Sequence, residues 1–404
     1  MKSYLTFSLL VLLAIGTQVV HGPRVEAADL MSPQTAERMG LEVAWLRQLH
    51  VPAGADSIVD QQIIAHEEDP REFVEVVGAA PEGEEAPVYF RIPTDQIGPN
   101  GLPIGKEEAE RLARREIRRM ARKKLELSVS SRTVPRINLY TAANNGTIEC
   151  RDANSGKPIW MTQVGNPTLN FGKMGIDDKF VTLTNGGNLV KIDATNGEPI
   201  NTVRTTSTPM YGAINAGDFA LVPTIRNGVE GYPLNDTTID PFMEIVAGLA
   251  LEPPTKSPTS SKIAWATDSG FVYVMELSGA PSVLFRLNTD GIVSGRIASA
   301  EGDRFFFGSE EGQVYGLKAT RTGRVLWSHP FGEPFYKAPY LLGAKVFLPS
   351  AYGNLYAIDE QTGDPVWDAP APNVDEIIGG FDGVLYVRLH SRNIAAIDAT
   401  TGTV

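Results

Sequence analysis

The stretch Asn354-Leu-Tyr-Ala-Ile-Asp359-Glu-Gln-Thr-Gly363-Asp-Pro-Val-Trp367 decides the fold. It reads as an apolar run, an Asp-x-x-Thr-Gly turn and a second run that closes on Trp. Runs of about five residues on either side of a turn are strand pattern. In the turn, the Asp carboxylate accepts backbone N–H groups, Thr bonds locally, and Gly reaches the left-handed conformation at no steric cost. Upstream, Tyr352-Gly353-Asn354 turns an earlier run, 345–350, into this one, and 339–342 precedes that. The unit is therefore four short antiparallel strands: 339–342, 345–350, 354–359 and 364–369.

The unit recurs. Clear copies occupy 139–165, 304–332 and 346–372. The turn glycine returns at Gly146, Gly187, Gly228, Gly270, Gly312 and Gly353, at intervals of 41 or 42 residues. A seventh copy carries Arg392-Asn393 there and recovers with Asp398-Ala-Thr-Thr-Gly402. Turn aspartates fall at Asp152, Asp193, Asp359 and Asp398, and their identical repeat position makes them turn caps. Trp160, Trp327 and Trp367 share one fourth-strand position, where a large ring can wedge between sheets and donate its indole N–H. A fixed period near 40 residues, built from short strands, is the signature of a β-propeller. The expectation is an all-β, seven-bladed propeller of four-stranded blades over 136–404. The third copy, 219–240, has Leu234-Asn-Asp in place of the Asp turn. The proline-rich link 241–261 is expected to project or to form a poor outer strand.

The seventh copy reaches Val404 without a fourth strand. Near the other end, Leu41-Glu-Val-Ala-Trp45-Leu-Arg-Gln-Leu matches the Trp-ending runs. The segment 28–66 is expected to supply two strands. Residues 41–49 would be the fourth strand of the seventh blade, which removes an open sheet edge, and 57–66 the first strand of blade one. A helix over 36–49 is the alternative reading, since Ala, Glu, Leu and Arg favour one. Residues 67–135 read as an insertion: an acidic opening, a Pro/Gly-rich stretch over 93–105, and a basic helix over 106–127. That helix has a narrow apolar stripe on Ala109, Ala113, Ile117 and Ala121.

The chain has 404 residues, 36 Lys plus Arg, 48 Asp plus Glu and a net charge of -12. That balance argues against general nucleic-acid binding, which needs a cationic face. Met1-Lys2, an apolar stretch over 5–15 and Val25-Glu26-Ala27 form a signal-peptide pattern over 1–27. The apolar stretch is too short to span a bilayer, which takes about 20 residues. An uncleaved anchor reaching Val20 is the alternative. The expected location is periplasmic or otherwise extracytoplasmic. Cys150 is the single cysteine. It allows no intrachain disulfide, no lipidated cysteine follows the apolar stretch, and its strand context makes it a packed thiol.

Catalytic and metal-binding patterns are not found. His21, His50, His66, His329 and His390 are scattered and form no helical pair for zinc. No Gly-x-Ser-x-Gly elbow is present. Gly101-Leu-Pro-Ile-Gly105-Lys106 is one residue short of a phosphate loop and has Glu107 where Ser or Thr should stand. No catalytic, cofactor or metal residue is assigned.

The runs Val314-Tyr-Gly-Leu-Lys-Ala-Thr-Arg-Thr-Gly-Arg-Val-Leu-Trp327 and 354–367 resemble the PQQ-type (pyrroloquinoline-quinone-like) propeller repeat. The resemblance covers 41–49 and 136–404. Two groups share that repeat. Quinoprotein dehydrogenases have eight blades, bind the quinone with calcium and often carry an adjacent-cysteine disulfide, which one cysteine cannot form. The other group is similar to the outer-membrane-protein assembly lipoprotein, a non-enzymatic scaffold, although this chain lacks its lipidated cysteine. The resemblance implies an exported, non-catalytic scaffold without a cofactor, binding protein or peptide partners in the cell envelope. The alternatives are a quinone-dependent oxidoreductase and a carbohydrate- or envelope-binding propeller. Residues 67–127 and 241–261 are the candidate surfaces, and the basic helix 106–127 is a candidate membrane or partner contact unless it pairs with the acidic segment before it.

Overall fold

The computed structural model describes residues 33–38, 40–41, 45–52, 54, 57–79, 86–120, 126–236 and 238–404. The expected leader, 1–27, lies outside them. The chain divides into two units, 1–44 and 45–404. In the first, Pro33–Arg38 forms a short helix, α1.

Among the described residues the strands of the second unit form seven antiparallel sheets, most of them four-stranded meanders, an arrangement consistent with a β-propeller. The first contains β1 (Ile58–Gly78), β2 (Val88–Pro93), β3 (Leu127–Ala143), β4 (Thr147–Asp152) and β5 (Pro158–Gln163), in the order β2-β1-β3-β4-β5. The second contains β6 (Phe171–Ile176), β7 (Phe180–Asn185), β8 (Asn188–Asp193) and β9 (Pro199–Arg204) in sequence order. Five more follow, their first strands at Ile214–Ala216, Thr255–Lys256, Ala298–Ala300, Tyr340–Leu342 and Val374–Phe381.

Several expectations are corrected. Of the two readings of the link 241–261, a projecting loop or a poor outer strand, the structure has the strand. Phe242–Ile245 is the regular outer strand of the third sheet, and Thr255–Lys256 opens the fourth. Phe242 fits there because Gly231 opposite has no Cβ; one would stand 1.9 Å from the ring. In the sixth sheet, 364–369 is not a strand. Only the bridges Ile358↔Pro365 and Leu355↔Ala371 join it, since Pro365 and Pro370 remove ladder donors. Among the turn glycines, Gly146, Gly270, Gly312 and Gly353 are left-handed, but Gly187 is not. The conformation moves one residue earlier, to Gly186 and, in the third sheet, Asn227, while Arg392 takes it in the seventh.

The core lies between sheets. Six buried clusters each join two consecutive sheets, the largest uniting Tyr140, Ile148 and Trp160 with Met174, Leu183 and Ile192. Each Trp then makes one repeated contact with the next sheet. Trp160 Nε1 donates to Ala194 O (2.8 Å), Trp327 to Glu360 O (3.0 Å) and Trp367 to Ala399 O (3.3 Å), in each case the carbonyl after a turn Asp. The ring covers the turn glycine. A Cβ on Gly197, Gly363 or Gly402 would lie 2.5–2.8 Å from it.

Trp45 makes the same contact with the first sheet, donating to Ala153 O at 2.7 Å over Gly156. Arg151 Nη2 donates to Gln48 O (2.8 Å), and the His50 backbone N–H donates to Glu149 (3.2 Å). Burial pushes the Glu149 carboxyl up, but hydrogen bonds from His50 and Arg151 outweigh it and hold the group below its usual range. Trp45–Leu49 is nevertheless not a ladder strand, and 42–44 lie outside the described residues. Side-chain contacts, not strand pairing, seat this segment.

Trp327→Ala is expected to cost about 3–5 kcal/mol, the range for truncating a buried Trp. Urea unfolding measures it; an unchanged midpoint would show that the indole does not hold the fifth and sixth sheets together.

Candidate interaction face

Where the other sheets turn tightly from first to second strand, the first sheet extends. β1 crosses Glu67, the expected start of the insertion, without interruption. The β1–β3 ladder continues from Arg71↔Val134 to Gly78↔Leu127, after a register shift between His66 and Arg71. β2 adds outside β1, with Val74↔Ile92 and Val76↔Phe90 opposite. The helix α2 (Gly105–Met120) covers one face. It ends before Leu127, which is a strand residue, because Leu127 and Val129 join the apolar layer under it. That layer buries Val74, Val76, Ile92, Ala109 and Ala113. The result is a small βββα module with its own core.

The basic side chains of α2 are largely engaged at home. Glu108–Arg111 (2.6 Å), Glu110–Arg114 (3.0 Å) and Glu116–Arg119 (2.7 Å) pair along the helix, and Lys106 reaches Glu72 of β1 at 2.5 Å. Exposed pairs of this kind are screened by water and contribute little to stability; they neutralise the helix more than they fasten it. The apolar exposure lies instead on β2, the outer strand of its sheet. Val88, Tyr89 and Phe90 are 42%, 43% and 39% exposed.

At the module's root, His66 Nδ1 lies 2.8 Å from Asp178 and its Nε2 lies 2.9 Å from the Tyr140 hydroxyl. Arg71 bridges Asp95 (2.9 Å) and Asp152 (3.0 Å). Beside this root, the turns of the second, third and fourth sheets enclose a polar cleft of about 360 Å³, lined by Asp177, Lys179, Asn215, Lys256, Pro258 and Ser260. One wall is fixed by Asp303, which accepts from Ser257 Oγ (2.8 Å), Ser260 Oγ (2.6 Å) and Lys262 Nζ (2.5 Å). Burial pushes the Asp303 carboxyl up, yet the hydrogen bonds from Lys262, Ser260 and Ser257 leave it below its ordinary value.

Two inner cavities, of about 520 and 220 Å³, are lined mainly by residues at or near the first strands of successive sheets and share Lys173 and Arg296. Several of their charges are paired: Lys173–Glu252 (3.4 Å), Lys337–Asp375 (2.6 Å), Arg388–Asp375 (2.8 Å) and Arg388–Glu376 (2.8 Å), whereas Arg296 donates to Thr255 Oγ1 (3.3 Å) and has no ion pair among the described residues. Hydrogen bonds from Lys337 and Arg388 pull Asp375 down to about 2.

The residues singled out from the sequence do not converge. Asp152, Asp193, Asp359 and Asp398 each accept N–H groups of their own turn, from Ser155, Thr195, Thr362 and Thr401. Cys150 is buried, and burial pushes its thiol up to about 12, so it is not a nucleophile at neutral pH. Among the described residues no three His, Cys, Asp or Glu side chains are grouped as metal ligands, and no helix is long and apolar enough to cross a membrane. Sequence reading missed Arg71, Asp303 and Lys191. It also passed over Asn201, although Gly197-Glu-Pro-Ile-Asn201 aligns with Gly156-Lys-Pro-Ile-Trp160.

Residues 257–404 match the family model described as outer membrane protein assembly factor BamB. Among solved structures, BamB from Moraxella catarrhalis is similar at 20% identity and TM-score 0.47, over 65% of this chain and 83% of that one. A computationally designed protein, Ika8, is similar at 12% identity and TM-score 0.49, over 66% and 82%. The β-propeller domain of Cps50 (Swd1) from Myceliophteria thermophila is similar at 10% identity and TM-score 0.47, over 65% and 93%. No curated protein sequence matches this chain.

The lowered Asp303 pKa gives a pH dependence of known sign. Its contribution is complete above the unfolded value near 3.9 and is lost as pH falls through the lower folded value. The melting-temperature gap between the wild type and Asp303→Asn should be full at pH 7 and shrink below about pH 4. A gap that persists unchanged into stronger acid would mean that the Asp303 charge does not hold the cleft wall.

Proposed function

We propose that the chain is an exported, non-catalytic scaffold of the cell envelope, a closed seven-bladed propeller that binds a protein partner through its βββα module. The carrying observation is the apolar outer edge of β2, where Val88, Tyr89 and Phe90 stand exposed on a module that already has its own core. An open strand edge offers unpaired N–H and C=O groups, and a partner strand can add to it while alternate side chains supply specificity. The seven sheets and the Trp45 seat on the first sheet support closure of the ring. The family match supports an assembly role. The leader expected over 1–27 supports export.

A photo-crosslinking residue in place of Tyr89, expressed in the native host, is expected to give a discrete adduct with an envelope protein. Tyr89→Lys with Phe90→Lys should cut recovery of that protein at least about tenfold, the equivalent of 1.4 kcal/mol. No adduct and unchanged recovery would refute docking at β2. Thermal stabilisation and dye reduction on adding pyrroloquinoline quinone with calcium would refute the non-catalytic reading.

A further inference from the structure

One inter-sheet contact is built differently from the rest. In the first and fifth sheets the ladder sets Cys150↔Trp160 and Gly316↔Trp327, each followed by a bulge. The third and fourth set Gly231↔Phe242 and Val274↔Phe285. The second sets Lys191↔Asn201, with the same bulge after Lys191. An amide therefore stands where the other sheets place an aromatic ring.

The packing responds. The cluster joining the second and third sheets takes only Leu189, and the half-buried Phe180, from the second. A cavity of about 240 Å³ opens beside Asn201, lined by Leu189, Lys191, Val203, Tyr232, Leu234 and Ile239 among others. Lys191 is 7% exposed. Its ammonium donates to Leu234 O at 2.8 Å, a carbonyl equivalent to those the indoles use, and lies 5.1 Å from the centre of the Phe180 ring. An ammonium has three donors, and among the described residues no carboxylate forms an ion pair with this one. Burial lowers its pKa from the usual value. A buried cation with no counter-ion, beside an apolar cavity, is arranged for an anion with an apolar body.

We propose that this cavity binds a small planar aromatic acid. Its ring would lie where the other sheets hold a Trp or Phe, and its carboxylate would take the remaining donors of Lys191. The apolar walls recognise the ring, and the ammonium selects the acid over a neutral analogue, because hydrogen bonds between ions are the stronger class.

The test is calorimetric titration of the full chain with indole-3-propionate and, separately, with neutral 3-methylindole. Saturable binding of the acid is expected, at least about tenfold tighter than the neutral ring. Asn201→Trp supplies the ring from the chain itself, so it should abolish binding and raise the melting temperature. Lys191→Met should remove the preference for the acid. If Lys191→Met does not fold, the acid-to-neutral ratio and Asn201→Trp decide the matter. No saturable binding to the wild type at millimolar ligand, equal affinity for acid and neutral ring, or undiminished binding to Asn201→Trp would each overturn the proposal.

Discussion

The indole that donates to the next sheet's turn carbonyl is the contact on which the rest of the structure depends. Three residues are locked together by it. The turn Asp gathers N–H groups of its own turn, which fixes the direction of the following carbonyl. That carbonyl accepts from the indole of the preceding sheet. The turn glycine has to be glycine twice over: its φ is 65–79° at Gly156, Gly197, Gly363 and Gly402, and a Cβ would enter the ring. Because the three residues lie on two sheets, none can change alone without loosening an interface. Phe242 and Phe285 keep a ring but have no indole N–H to donate. At Asn201 the ring is gone as well, and Lys191 replaces the donor from the neighbouring strand. The backbone carbonyl is thus satisfied even where packing is not, as expected when an unpaired buried acceptor costs about 1–3 kcal/mol.

The interior follows a second constraint. First strands of successive sheets bring charged side chains close together, and like charges there would repel. The chain alternates them instead: Lys173 faces Glu252, and Asp375 holds Lys337 and Arg388. Hydrogen bonds from Lys337 and Arg388, reinforced by their positive charge, favour the ionised carboxylate, which is why Asp375 lies so low. These pairs brace the cavity walls, while Arg296 lines the same space without a carboxylate partner among the described residues.

Much of this was legible in the sequence, and the reasons are local. The period, the turn aspartates and the Trp positions are repeat features, and repetition makes weak signals add. The reading failed where a long-range partner decides the outcome. Proline in the link 241–261 left a projecting loop and a poor outer strand both open, and the missing Cβ of Gly231 admits Phe242 and decides for the strand. Ala, Arg and Glu carry the helix pattern to Leu127, but Leu127 is claimed by pairing with Gly78, and 121–125 lie outside the described residues. The roles of Asp303 and Lys191 emerge only when their partners arrive from 41 to 46 residues away. Asn201 is the opposite case. The repeat does mark it, as the residue that breaks the pattern.

The βββα module raises a different question, which is how an addition can be tolerated inside so constrained a repeat. Its position answers it. A turn between first and second strands is the one place where the ladder can lengthen without altering any inter-sheet contact. β1 and β3 simply continue, and the register shift after His66 lets the added part bend away from the sheet. The bend is then tied down by charge. Arg71 binds the free oxygen of Asp152, whose other oxygen caps the turn at Ser155. That same turn presents Ala153 O to Trp45. One aspartate therefore links the module, the first sheet's turn and the N-terminal segment, so a load on the module reaches the Trp45 contact through two hydrogen bonds and a single turn.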